Sequence, residues 1–160
     1  MAEIFELVVN GETRRVEAPA SLPLIYLLRN ELGLKGTRYG CGAEQCGCCM
    51  VLIDGEAAYA CGRTVDSAAG REIVTVEGLG GETASHPLQQ AVLAEQAGQC
   101  GYCLSGILIS AKALLDHNPA PDRAAIVAAL DGHLCRCGAH QRILRAVERA
   151  AAVMRGEPRS

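Results

Sequence analysis

Aromatic residues are almost missing from this chain: in 160 residues there is no Trp, one Phe and four Tyr, together 3%. Bases of single-stranded nucleic acid are held on aromatic platforms, so this composition excludes that mode of binding. Charge of one sign is missing too. Fifteen Lys and Arg stand against eighteen Asp and Glu, the formal net charge is −3, and the basic residues are scattered. A counterion-releasing contact with a phosphate backbone therefore has no footing, and no nucleic-acid partner is expected. No apolar run reaches membrane-spanning length. The opening MAEIFELVVNGETRR lacks the basic and then apolar order of a secretory signal; a cytoplasmic location is expected, with any membrane association made through partners. No dinucleotide fingerprint, Walker loop or nucleophile elbow occurs, so no residue is assigned a catalytic role.

Cysteine is what the chain has in quantity. Nine are present, and in a chain without an export signal such a number points to metal or catalysis rather than disulfides. They fall into two groups: Cys41, Cys46, Cys48, Cys49 and Cys61, then Cys100, Cys103, Cys135 and Cys137.

The elements around them divide the same way. Residues 3–18 alternate apolar and polar about Asn10-Gly11, the signature of a hairpin turn, and predict two antiparallel strands. Ser21 precedes a run in which Leu24, Leu27, Leu28 and Leu32 share helical spacing and Gly33 supplies a stop. A second hairpin is expected around Asp54-Gly55 and a strand over 72–78. Residues 77–85, glycine-rich and without periodicity, suit a linker. Beyond it four helical patterns follow, PLQQAVLAEQA, LSGILISAKALLDHN, PDRAAIVAALDGH and HQRILRAVERAAAVMRG. Two domains are expected, 1–78 and 79–160, the second a bundle of helices whose connections carry cysteines.

Cys41, Cys46 and Cys49 follow C-x4-C-x2-C, and Cys61 completes the spacing of a plant-type 2Fe-2S loop. Gly36, Gly40, Gly42 and Gly47 let that loop turn its amides toward sulfur. Zinc or buried structural thiols are the alternative. Cys48 is surplus. It reads as an inert buried thiol, with ligand replacement or a redox switch as the other possibilities. In the second group Cys100 and Cys103 form C-x2-C, while Cys135 and Cys137 form C-x-C. Together they offer four thiolates to iron, with zinc, flanked by His133 and His140, or a thiol–disulfide pair as alternatives. The four histidines read as solvated or capping residues.

The stretches GTRYGCGAEQCGCCMVLIDG with Cys61, QCGYCLSGILISAKALL and LCRCGAHQRILRAV, in this order, resemble the small iron–sulfur subunit of the xanthine oxidase, or molybdenum hydroxylase, family. The resemblance implies an α+β chain with a plant-type, ferredoxin-like β-grasp domain followed by an all-α four-helix bundle domain. Each domain would hold one 2Fe-2S cluster: Cys41, Cys46, Cys49 and Cys61 the first, Cys100, Cys103, Cys135 and Cys137 the second. It also implies that Gln99 and Cys137 contact a molybdopterin cofactor carried by a large partner subunit. Electrons released in hydroxylating an aldehyde or N-heteroaromatic substrate would pass through both clusters to an FAD subunit or a cytochrome. The variants at 103–106 (CLSG) and 137–140 (CGAH) are similar to those of isoquinoline, nicotinate and some aldehyde oxidoreductases. A free-standing ferredoxin and a zinc-stabilised interaction domain are the rival readings.

Overall fold

A computed structural model describes residues 1–80 and 84–157. Strands β1 (Ala2–Val9) and β2 (Glu12–Pro19) pair antiparallel across the Asn10-Gly11 turn. Both turn residues have positive φ, 52° and 78°, which a two-residue turn of this hand requires. The same device at Asp54 and Gly55 (φ 51° and 84°) joins β3 (Met50–Ile53) to β4 (Glu56–Tyr59). Strand β5 (Glu72–Val74) runs parallel to β1 and antiparallel to β3, closing a mixed sheet of order β2-β1-β5-β3-β4.

Three details differ from the sequence reading. The helix before the first cysteine loop, α1 (Leu24–Tyr26), begins after Pro23 rather than at a Ser21 cap and ends in a wider π-type turn over Leu27–Glu31. The Leu32 amide reaches back to the Leu27 carbonyl at 3.0 Å, five residues away. The strand expected over 72–78 stops at Val74, and Val76–Gly78 forms a 3-10 turn. A short helix, α2 (Val65–Ala68), was not expected. Of the linker expected over 77–85, residues 81–83 lie outside the described residues.

The remaining helices are α3 (Pro87–Ala94), α4 (Leu104–His117), α5 (Arg123–Leu130) and α6 (His140–Met154). Local sequence sets several of their ends. His86 Nδ1 accepts the Leu88 amide at 3.2 Å ahead of Pro87, Asp122 accepts the Ala125 amide at 2.7 Å, and α4 ends just before Pro119. No helix among the described residues is long and apolar enough to cross a membrane.

Strand β3 is where the two halves meet, with a separate core on each of its faces. Successive side chains of a strand point to opposite faces. Val51 and Ile53 join Leu7, Val9, Leu24, Leu27, Leu28 and Ile73 in a core beneath α1. Leu52 faces the other way and joins Leu88, Ile107, Ile109, Ile126, Ile143 and Val147 in the helical core. Its run MVLI is apolar throughout because both faces are covered. The resulting architecture is α+β, with α4 laid across the strand that leads out of the first cysteine loop.

Candidate metal centres

The first cysteine loop is tethered at its root. Arg29 donates to the carbonyls of Lys35 and Thr37, both at 2.7 Å. The Gly36 amide donates to Glu77 Oε1 at 2.7 Å. Glu77 is held in turn by the hydroxyl of buried Thr75, at 2.6 Å. Within the loop Gly42, Glu44 and Gly47 have φ of 67°, 56° and 74°, and these turns aim amides at sulfur. The amides of Ala43 and Gln45 donate to Cys41 Sγ at 3.3 Å each, and the Cys41 amide donates to Cys46 Sγ at 3.3 Å. The bonds from Ala43 and then Gln45 bring the Cys41 thiol down to about 7, favouring the thiolate that a metal requires. Cys49, 1% exposed, is pushed up to about 12 by burial and interacts directly with Cys61. Cys61 stands just after β4, at the start of the turn that leads to α2.

The second group forms at the junction of three helices. Cys103 caps the start of α4, Cys100 lies three residues earlier, and Cys135 and Cys137 occupy the connection from α5 to α6. All four line one small cavity together with Gln99, Leu104, Ala139 and Ile143. Cys100 and Cys137 are 3.4 Å apart, sulfur to sulfur, and Cys103 contacts Cys135. The Cys100 thiol is lowered, first by the Tyr102 amide. Cys103 is pushed up to about 12 by burial. For Cys135, burial opposes ionisation, yet the amides of Cys137, Ala139 and Gly138 and the Cys103 thiol outweigh it and lower the thiol.

The thiols meet as Cys41 with Cys46 and Cys49 with Cys61, then Cys100 with Cys137 and Cys103 with Cys135, and Cys46 also meets the surplus Cys48. Among the described residues no three His, Cys, Asp or Glu side chains converge on the position of a single metal ion. Paired thiolates with amide donors on their sulfurs suit a cluster of two irons, each iron taking two cysteines.

Cys48 lies beside Cys46, whose thiol its side chain meets, but it faces the interior. It is 6% exposed, shares the helical core with Leu52 and Cys103, and burial pushes its thiol up to about 12. That is the packing of a small hydrophobe. Gln99 is exposed on the rim of the second cavity.

The histidines divide. His86 caps α3, and His117 at the end of α4 lies 3.1 Å from Glu56. His140 is exposed at the start of α6. His133 departs from the solvated or capping role expected of it. It is 8% exposed, its Nε2 lies 2.7 Å from Ser110 Oγ, and burial brings it down to about 4. No local signal could have disclosed this, because Ser110 is 23 residues away on another helix. Two further contacts were also missed. The Tyr102 hydroxyl donates to the Tyr39 carbonyl, and the Leu134 amide donates to the Cys46 carbonyl at 3.1 Å.

Comparison with known proteins accords with this geometry. Residues 7–76 match a family described as a 2Fe-2S iron-sulfur cluster binding domain, and residues 75–148 match one described as a 2Fe-2S binding domain. A nicotinate dehydrogenase subunit from Pseudomonas putida is 51% identical over 155 residues, 97% of this chain and 99% of that one. The chain is a 2Fe-2S subunit of the xanthine oxidase family. The alpha subunit of isoquinoline 1-oxidoreductase from Brevundimonas diminuta is 48% identical over 92% of this chain and 97% of its own. Among solved structures, a chain of quinoline 2-oxidoreductase from Pseudomonas putida superposes with a TM-score of 0.91 at 35% identity, covering 98% of this chain and 99% of that one. The aldehyde oxidoreductase of Desulfovibrio desulfuricans gives 0.93 at 40% identity. There the match covers 97% of this chain but only 17% of the other. Two 2Fe-2S domains in one such subunit make it an electron-transfer component of an oxidoreductase complex, and the zinc reading gives way.

Proposed function

We propose that this chain carries electrons from a molybdopterin site on a large partner subunit to an external acceptor, an FAD subunit or a cytochrome. The reaction served is oxidative hydroxylation of an aldehyde or N-heteroaromatic substrate, the class to which the named substrates of its relatives belong. Cys41, Cys46, Cys49 and Cys61 hold the first cluster and Cys100, Cys103, Cys135 and Cys137 the second. When bound, each cluster supplies a one-electron redox site. Residues 1–78 act as a ferredoxin-like β-grasp domain, and residues 79–160, with α3 to α6, as a four-helix domain.

The observation that carries this reading is the way the two cysteine groups join. Leu134, next to Cys135, donates its amide to the carbonyl of Cys46 at 3.1 Å. Backbone bonds and one hydrogen bond thus connect a ligand of one site to a ligand of the other. Exposure supports access for a partner at both sites. Cys46, Cys49 and Cys103 are buried, while Cys41 and Cys100 are exposed, one in each group. Each site therefore has one side toward the other site and one side open to a partner. At the open side of the first, Tyr39 stacks on Tyr26 with ring centroids 5.5 Å apart, both partly exposed. At the open side of the second, Gln99 and Cys137 stand at the rim of the cysteine-lined cavity, where the molybdopterin would be met.

The test uses the complex purified with its natural large subunit. With Cys103→Ser we expect one of the two reduced-cluster EPR signals to disappear and substrate-driven reduction of the other to stop. Both signals and the reduction surviving unchanged would sink the proposal. A chain that purifies alone, fully loaded and without affinity for a large subunit, would favour the free-standing ferredoxin instead.

A further inference from the structure

Gly47 lies between the ligand positions Cys46 and Cys49 and is pressed from two sides. From one side comes α4: a β-carbon at Gly106 would stand 2.0 Å from the Gly47 carbonyl oxygen. From the other comes His133: a β-carbon at Gly47 would stand 2.3 Å from His133 Nδ1. Ser110, four residues after Gly106 and so on the same face of α4, holds the His133 ring at 2.7 Å through Nε2. Ser110 is 5% exposed and His133 is 8% exposed, and Nδ1 is buried with no hydrogen-bond partner of its own. A buried, unpaired ring nitrogen is a cost to stability that needs a reason.

We infer that His133 is a positioning residue that clamps the first cysteine loop against the second and thereby sets the rate of electron passage between the two sites. The inference rests on the reading of both groups as 2Fe-2S sites. The segment from His133 to Cys135 works as a strap with three consecutive attachments. The His133 ring bears on Gly47 and is tethered to α4. The Leu134 amide is bonded to Cys46. Cys135 is a ligand of the second site. Gly47 is thus enclosed between α4 and the imidazole, and the Cys46 carbonyl is held where Leu134 meets it. An aliphatic residue at 133 would fill space but leave Ser110 without its partner. A smaller one would free Gly47, whose φ of +74° is held by its surroundings rather than by a side chain.

The experiment compares wild type, His133→Ala, His133→Gln and Ser110→Ala, each as the full chain purified with its large subunit, at full iron loading. Pulsed EPR reads the dipolar coupling between the two reduced clusters, and flash reduction reads the rate of equilibration between them. Outer-shell substitutions at metal sites typically cost about 10- to 100-fold in metal affinity or activity; on that scale a slowing of about tenfold, with altered dipolar coupling, is expected for His133→Ala. His133→Gln, which keeps a donor toward Ser110, recovers part of the rate. A role in stability alone would lower the melting temperature and leave coupling and rate where they were; that outcome overturns the inference. Should His133→Ala fail to load iron, Ser110→Ala keeps the ring and decides by the same measurements: an unchanged coupling and rate refutes, a shifted one supports. Wild type without two 2Fe-2S signals would strike the cluster reading itself, and this inference with it.

Discussion

Gly106→Ala sets two well-calibrated effects against each other. Gly106 is the third residue of α4, whose backbone accepts any residue, so alanine should favour the helix by about 1 kcal/mol. The added methyl, however, would stand 2.0 Å from the Gly47 carbonyl oxygen, 3.0 Å from its carbonyl carbon and 3.2 Å from that of Cys48. Side-chain carbons essentially never approach closer than 3.0 Å, so helix and loop must part by about 1 Å. The obstacle is backbone, in a loop whose turn at Gly47 is already fixed by His133 and the flanking cysteines. No flexible side chain is available to swing away. Overpacking of this kind costs about 1–3 kcal/mol, occasionally more, and it outweighs the gain. Set against that gain, the net loss is up to about 2 kcal/mol, which for a chain of this size lowers the melting temperature by up to about 8 °C. The assay is thermal unfolding of the iron-loaded protein followed by circular dichroism and by visible absorbance of the clusters. A melting temperature that rises, as unopposed helix propensity would produce, refutes the close approach of α4 to the first cysteine loop.

Other outcomes follow from the same contacts. Cys48→Ala should retain four irons per chain and both EPR signals, because Cys41, Cys46, Cys49 and Cys61 complete the first site without it. Cys49→Ser should lose the first signal alone. The reverse pattern would reassign the first site. The Asp54 carboxyl is held below the usual carboxylate range, first by the Glu72 amide and then by Arg71 at 2.7 Å. A depressed carboxylate stabilises the fold above its unfolded value of about 3.9, and that contribution is lost as pH falls through the lower folded value. Asp54→Asn should therefore flatten the acid limb of stability below about pH 4, in pH-dependent melts of the two proteins; identical acid limbs would contradict the role given to this turn.

How much of this was legible in the sequence depended on the range of the interaction. The Asn10-Gly11 and Asp54-Gly55 turns announced both hairpins because few residue pairs tolerate two positive φ angles in succession. The helices after residue 86 were readable from periodicity and from local stops such as Pro119. The ligand candidates were readable because cluster loops fix their own spacing, and the Cys41 sulfur, for one, is served by amides within a few residues. The short helix Val65–Ala68 was not readable, being too brief to show a period. Nor was the π-type ending of α1, where the Leu34 amide turns back to Leu28 to lead the chain into the cysteine loop. The burial of His133, the bond from Leu134 to Cys46 and the latch from Tyr102 to Tyr39 were out of reach for one reason. Each joins residues more than twenty positions apart and exists only after β3 and α4 have packed. The cysteine pattern thus disclosed two groups, while the structure disclosed the hydrogen bond that joins their segments.

The central claim is that one chain holds two 2Fe-2S clusters on eight named cysteines and relays electrons between them. Iron and zinc analysis of the anaerobically purified protein, combined with low-temperature EPR at partial and full reduction, tests it most directly. The account predicts four irons per chain, no zinc and two distinguishable 2Fe-2S signals, of which Cys103→Ser removes one and Cys49→Ser the other. Zinc in place of iron after attempted cluster reconstitution, or a single signal unaffected by either substitution, would contradict it.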